Sequence, residues 1–359
     1  MAYTNIDDPS AYFQATTYTG AGANTVVTNG GNSDLKPDFL WIKNRTAGYA
    51  SFIVDSNRNI SYAQNSSNAP YLESNATGVE NNNQNWMQSV NTDGFTTGIS
   101  EHINSNSGSA FVAWQWKANG GTTASNTSGT ITSTVQANQD AGFSIVTYTG
   151  NGSNATIGHG LGEAPKVVIV RARSRISSWV VFHGAFSSDD AYMVLQTTAG
   201  AVSQTGLWNN QYPSSTVFGA SSDLWLNANG STYVAYCFAE KQGYSKFGTY
   251  YGNGNTDGEF IYTGFKPALV ITKVVSDPNY GWVMADNARG PFNENDPSVY
   301  ANSSAAETTN DANLDFLSNG FKCRGSTYPS NAGGTNTNIY MAFAENPFVT
   351  STGTPTTAV

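Results

Sequence analysis

Apolar residues along this chain come in short runs, set between stretches rich in Gly, Asn, Ser and Thr. No run sustains the 3.6-residue period of an amphipathic helix. Thr308 to Leu317 could close a short helix, although its Asn and Asp content works against one. Short β-rich runs punctuated by turn-forming residues predict an all-β fold, a sandwich or jelly roll.

The runs repeat. Pro37-Asp-Phe-Leu-Trp-Ile-Lys43 recurs as Pro165-Lys-Val-Val-Ile-Val-Arg171 and as Pro267-Ala-Leu-Val-Ile-Thr-Lys273. Each has a Pro where no ladder donor is needed, then an unbroken apolar run, then a cation. The unbroken run predicts a strand covered on both faces. A closing pattern of aromatic, aliphatic, Ala, aromatic follows in each copy: Phe111 to Trp114, Tyr233 to Tyr236 and Tyr340 to Phe343. Between them Phe52, Trp179 and Trp282 each open a further strand, and upstream stand Tyr18-Thr-Gly20, Tyr148-Thr-Gly150 and Tyr251-Gly252. The hairpin signals Asp93-Gly-Phe95 and Asn319-Gly-Phe321 have no dipeptide counterpart in the second copy, where Thr216-Val-Phe218 stands instead.

This spacing predicts three tandem β-sandwich domains of about 100 residues, a size that suits two packed sheets. They are expected at 15–117, 142–243 and 244–349. Residues 1–14 would be an N-terminal anchor segment, 118–141 a polar linker and 350–359 a polar tail.

Composition narrows the function. Charged residues make up 11% of the 359, and net charge is −9. No cluster of Lys and Arg could track a phosphate backbone, so nucleic-acid binding is not expected. Arg171, Arg173 and Arg175 read as a solvated strand end. No apolar stretch is long enough to cross a bilayer as a helix, and the N-terminus carries no signal-peptide pattern. The many sequons, such as Asn65-Ser66-Ser67, are expected by chance in so much Asn, Ser and Thr. Cys237 and Cys323 are too few and too far apart for a disulfide framework.

Catalysis needs convergent titratable groups. His102, His159 and His183 accompany no nucleophile motif, and His159, between two glycines, reads as a turn residue. Asp7-Asp8, Asp189-Asp190 and Asp257-Gly-Glu259 lie in turn-like contexts and read as solvated loops rather than a glycosidase pair. Glu240 and Glu345, recurring after the closing strand, read as structural partners of the recurrent Lys or Arg. Neither a metal site, a cofactor nor an enzymatic activity is expected. Trp41, Trp114, Trp116, Trp179 and Trp282 fall in predicted strands and belong to the core. Trp86, Trp208 and Tyr212 fall in amide-rich loops, where a ring face beside hydrogen-bonding groups suits either sugar contact or protein contact.

The leader Met1 to Gln14, followed by a Tyr-Thr-Gly element, resembles virion proteins of marine tailed bacteriophages. So do the segments Gly142 to Gly150 and Gly160 to Val170. Those proteins are described as tail-fibre-like or other structural components with lectin-like sandwich domains. The resemblance implies a virion structural protein, made in the host cytoplasm, whose partners are other virion proteins and further copies of itself. The leading expectation is an exposed fibre, knob or adhesin that contacts host surface polysaccharide. The alternatives are a capsid decoration or tail-scaffold protein without a receptor and, more remotely, a polysaccharide depolymerase.

Overall fold

The computed structural model describes residues 2–58, 69–83, 86–105, 108–309, 311–326, 329–333 and 336–356, and the sequon at Asn65 lies outside them. The chain is all-β, built from antiparallel sheets of sandwich type. In each repeat one strand order recurs in the large sheet: first strand, closing strand, Pro-led strand, then the strand after it. In the first repeat this reads Phe13–Thr19, Ala110–Trp116, Phe39–Asn44, Phe52–Asp55. In the second it reads Phe143–Thr149, Thr232–Phe238, Val167–Ala172, Val180–His183. In the third it reads Ser245–Tyr251, Thr337–Pro347, Phe265–Val274, Val283–Asp286. A small sheet covers one face of each, where Val27 pairs with Phe95, Ile157 with Phe218 and Ile261 with Phe321. Phe218 thus fills the place of Phe95 and Phe321 in the copy that lacks the hairpin dipeptide.

Strand alternation explains why the Pro-led runs are apolar throughout. Leu40, Ile42, Phe52 and Val54 face the first repeat's own small sheet, while Phe39, Trp41, Ile53 and Trp114 face away from it. That second face is also buried. It packs with its counterparts Ile169, Tyr236 and Phe238 of the second repeat and Ile271, Met341 and Phe343 of the third into one apolar core. The repeats therefore share a core instead of forming three self-contained domains on a string.

Their contacts close a cycle. Trp179 of the second repeat donates its Nε1 hydrogen to Glu73 O of the first at 2.8 Å. Ser74 of the first donates to Ala301 O of the third at 2.6 Å, and Trp282 of the third to Val194 O of the second at 3.4 Å. The backbone bonds Glu80 N to Arg173 O, Glu307 N to Arg45 O and Ala201 N to Val275 O repeat that cycle. The fold is a ring of three sandwiches about a pseudo-threefold axis.

Within each repeat a Tyr and an Asn clamp the first strand to the loop beyond it. Tyr18, Tyr148 and Tyr250 donate to Ile103 O, Leu226 O and Ser330 O at 2.6, 2.7 and 2.5 Å. The next residue in each case, Asn104, Asn227 or Asn331, is fully buried and accepts from Ala21 N, Asn151 N or Asn253 N. The glycine after the tyrosine is required, because a Cβ on Gly20, Gly150 or Gly252 would stand 2.6, 2.4 or 2.0 Å from the carbonyl beyond that Asn.

Several expectations change. Residues 118–141 are not a free linker: Ala124–Asn126 and Ser133–Asn138 are strands that extend the second large sheet past Phe143–Thr149. Leu314–Leu317 is a strand, not the end of a helix. The tyrosine equivalent to Tyr18 and Tyr148 is Tyr250, while Tyr251 points outward. The closing strand of the third repeat is shifted by two, so Met341 stands opposite Ile271 as Trp114 stands opposite Trp41. Trp179 and Trp282 align with Ser51, one residue before Phe52, since all three donate a backbone hydrogen to an amide oxygen, of Gln196, Asn302 and Asn75. Phe13 and Gln14 already belong to the first strand. The leader before them folds back on the third repeat and the turn leading into it, with Tyr3 donating to Gly264 O and Thr4 to Gln242 O. Asp7 there accepts from Ser351 in the C-terminal turn, which is described to residue 356.

Candidate functional site

The three loop aromatics do not converge. Trp208 is buried in the second repeat, 1% exposed, with its Nε1 hydrogen on Ala191 O at 3.2 Å. It offers no stacking face, because the loop folds inward and the ring fills the space between the two sheets beside Phe182. Trp86 is half-buried in the first repeat and stacks on Tyr71 and His102, with ring centroids 4.7 and 4.8 Å apart. Only Tyr212 is well exposed, at 48%, resting edge-on against Phe182. The strand tryptophans Trp41, Trp114, Trp116, Trp179 and Trp282 are all core.

A different aromatic surface lies on the third repeat. Phe260 and Tyr262 flank buried Ile261 on one short strand, so both project from the outer face of the small sheet, 46% and 53% exposed. Phe260 lies over Gly320, and the Tyr262 hydroxyl meets that of Tyr3 from the folded-back leader at 3.1 Å. Two outward aromatics on one strand were visible as an alternation in the sequence. The contribution of Tyr3 was not, since it depends on the fold.

The titratable groups are engaged in structure. His159 is buried, with Nε2 3.1 Å from Ser214 O, and burial pushes its pKa down to about 4. His183 is likewise buried, with Nε2 3.2 Å from Tyr340 O across a repeat boundary, and is pushed down to about 4. Burial raises both free thiols, Cys323 to about 12. Asp8 accepts from Ser10 and Ser33, Asp190 from Gly206 N and Asp257 from Lys322. Among the described residues no three His, Cys, Asp or Glu side chains are grouped to hold a metal ion.

The recurrent cations are buried rather than paired with Glu240 and Glu345. Lys43 donates to Tyr49 O and Ser304 O at 2.7 and 2.9 Å, Arg171 to Ser177 O and Gly78 O, and Lys273 to Val274 O at 2.6 Å. Burial lowers Lys43 and Lys273 to about 8 and Arg171 to about 10. Glu240 and Glu345 face Lys246 and Lys266 instead. Arg171 and Arg173, expected in solvent, both reach across to the first repeat.

Charge concentrates at two of the three joints. Where the second repeat meets the first, Arg58 binds Asp55 and Glu80, Arg173 binds Glu80 at two points, and Tyr236 donates to Asp55. Where the first meets the third, Arg289 binds Asp286 and Glu307, Arg45 binds Glu307 at two points, and the Trp114 Nε1 hydrogen goes to Asp286. Burial alone would raise Glu80 and Glu307, but two arginines each hold them below the usual carboxylate range. At the third joint every one of these positions is uncharged. His183 stands for Asp, Phe186 for Arg58, Ala201 for Glu80, Val275 for Arg173 and Met341 for Tyr236. At the axis itself residues of all three repeats line a wholly apolar cavity of about 20 Å³, no larger than one water and without polar groups to hold it.

Residues 8–347 match the model of a domain of unknown function, DUF7483. The match covers most of the chain, which therefore belongs to that family. No curated protein matches it.

Proposed function

We propose that this chain is a non-enzymatic structural component of a tailed-phage virion, a rigid block that works through its shape and its surface contacts. The observation that carries the reading is the closed cycle of joints. Asp55 and Asp286, fully buried, and Glu80 and Glu307, partly buried, are each engaged by arginine, and the buried rings of His159 and His183 sit on carbonyls. A catalytic site leaves such groups free to reach a substrate, whereas these acids are occupied by arginines that tie the repeats together. The resemblance of the leader and the Tyr-Thr-Gly elements to virion proteins supplies the particle, other virion proteins as partners and the virion as its location. Immuno-gold labelling of purified particles tests this, and particles that carry none of the chain would refute it.

A second reading, an adhesin for host surface polysaccharide, is favoured by the exposed pair Phe260 and Tyr262. Outward rings beside hydroxyl and amide groups suit sugar stacking. Purified protein should then bind bacterial cells saturably, lose binding when surface polysaccharide is stripped, and lose it again in a Phe260→Ala, Tyr262→Ala double variant. Binding indifferent to both treatments rules the adhesin out and leaves the structural role.

A further inference from the structure

The three first strands are equivalent edges, and the chain treats each differently. Their outward backbone groups belong to alternate residues, because the others face the closing strand. In the second repeat the outward groups of Phe143, Ile145 and Thr147 are paired by Asn138, Gln136 and Thr134 of the added strand Ser133–Asn138. In the third, the outward N–H of Phe247 donates to the Glu240 carboxylate at 2.8 Å. In the first, among the described residues, nothing bonds the outward groups of Phe13, Ala15 and Thr17.

That open edge lines a groove of about 660 Å³ between the first and third repeats. Its walls are the counterparts of those that hold the added strand in the second repeat. There, a Cβ on Gly160 would stand 3.1 Å from Ala137 and 3.3 Å from Val135, whereas the equivalent Gly30 faces open space. On the other wall Ser56 donates to Gln136 Oε1 at 2.8 Å, and Asn57 donates to Thr134 O and Ile145 O at 2.9 Å. Their counterparts Asn287 and Ala288 line the groove, with the Asn287 side-chain amide donating to the wall residue Glu345 at 2.9 Å.

We propose that the edge Phe13–Thr17 receives an extended segment of a second polypeptide, which adds as a strand antiparallel to it. The seated strand Ser133–Asn138 defines the occupant's chemistry. It is uncharged, about six residues long, with small apolar side chains toward Gly30 and an amide or hydroxyl side chain opposite Ala15, facing Asn287 and Glu345. Main-chain bonds to Ala15 and Thr17 supply affinity, and the alternate side chains supply register.

A labelled synthetic peptide of residues 130–139 is a suitable probe, titrated into the intact chain by fluorescence anisotropy. Saturable binding is expected. Ala15→Pro removes an outward donor without touching the ladder to Ala110–Trp116, and should weaken binding about tenfold. Ala288→Asn installs the clamp that Asn57 of the first repeat provides for the added strand of the second, and should tighten binding severalfold even if the Pro variant folds poorly. No saturable binding up to roughly 1 mM, or binding that neither variant changes, overturns the proposal.

Discussion

Arg173 and Glu80 lie 93 positions apart in the chain and meet in a two-point ion pair, at 2.9 and 2.8 Å, that fastens the second repeat to the first. Arg45 and Glu307 make the same pair between the first repeat and the third. At the remaining joint Val275 and Ala201 occupy the two positions and pack against the common core. One ring thus contains two solutions to the same packing problem, one charged and one apolar. At the positions of Asp55, Arg58, Glu80 and Arg173 charge appears as a complete set or not at all, because a buried carboxylate left without its arginine would bear its desolvation cost unpaired.

Asp55→Ala should therefore be costly, since it strips Arg58 and Tyr236 of their shared acceptor. A loss of about 3–5 kcal/mol is expected in denaturant unfolding. Exchanging the whole set for the apolar one (Asp55→His, Arg58→Phe, Glu80→Ala, Arg173→Val, Tyr236→Met) should cost far less. A fivefold variant less stable than the single one would contradict this account.

Stability should fall on mild acidification. His159 and His183 titrate near 4 in the folded chain and near 6.5 when unfolded, so the unfolded state binds more protons between those values. Their contribution is complete above pH 6.5 and declines as pH drops toward 4. Unfolding midpoints measured across that range should flatten in a His159→Gln, His183→Gln variant.

Trp208→Ala should cost about 3–5 kcal/mol, as deletion of a core aromatic does, and lower the unfolding midpoint. Tyr212→Ala should stay within about 1 kcal/mol, because its ring is half in solvent. Comparable losses from the two would contradict the inward position of Trp208.

Within the clamp of the second repeat, Tyr148→Phe should cost about 1 kcal/mol for one hydrogen bond. Gly150→Ala should cost more, since its Cβ would press on Ala228 O and force the strand end away from Asn227. Thermal unfolding of the two variants gives the comparison, and an Ala variant as stable as the parent would show that this loop yields freely.

The sequence alone determined the repeats, the all-β character and the double burial of the Pro-led strands, because alternation and turn chemistry are local and survive in one dimension. It left Asn104, Asn227 and Asn331 hidden, since a single clamp Asn does not stand out in a chain so rich in Asn. It made residues 118–141 look like a linker because an added edge strand has few apolar residues of its own and draws its order from the neighbour it pairs with. Trp208 resembled a surface residue for a related reason: an amide-rich loop says nothing about which way it folds. The ring, the two charged joints and the one apolar joint were decided only by tertiary structure. Arg45, Arg173, Glu80 and Glu307 acquire meaning from partners roughly a hundred or more residues distant, and no local pattern records which repeat lies beside which.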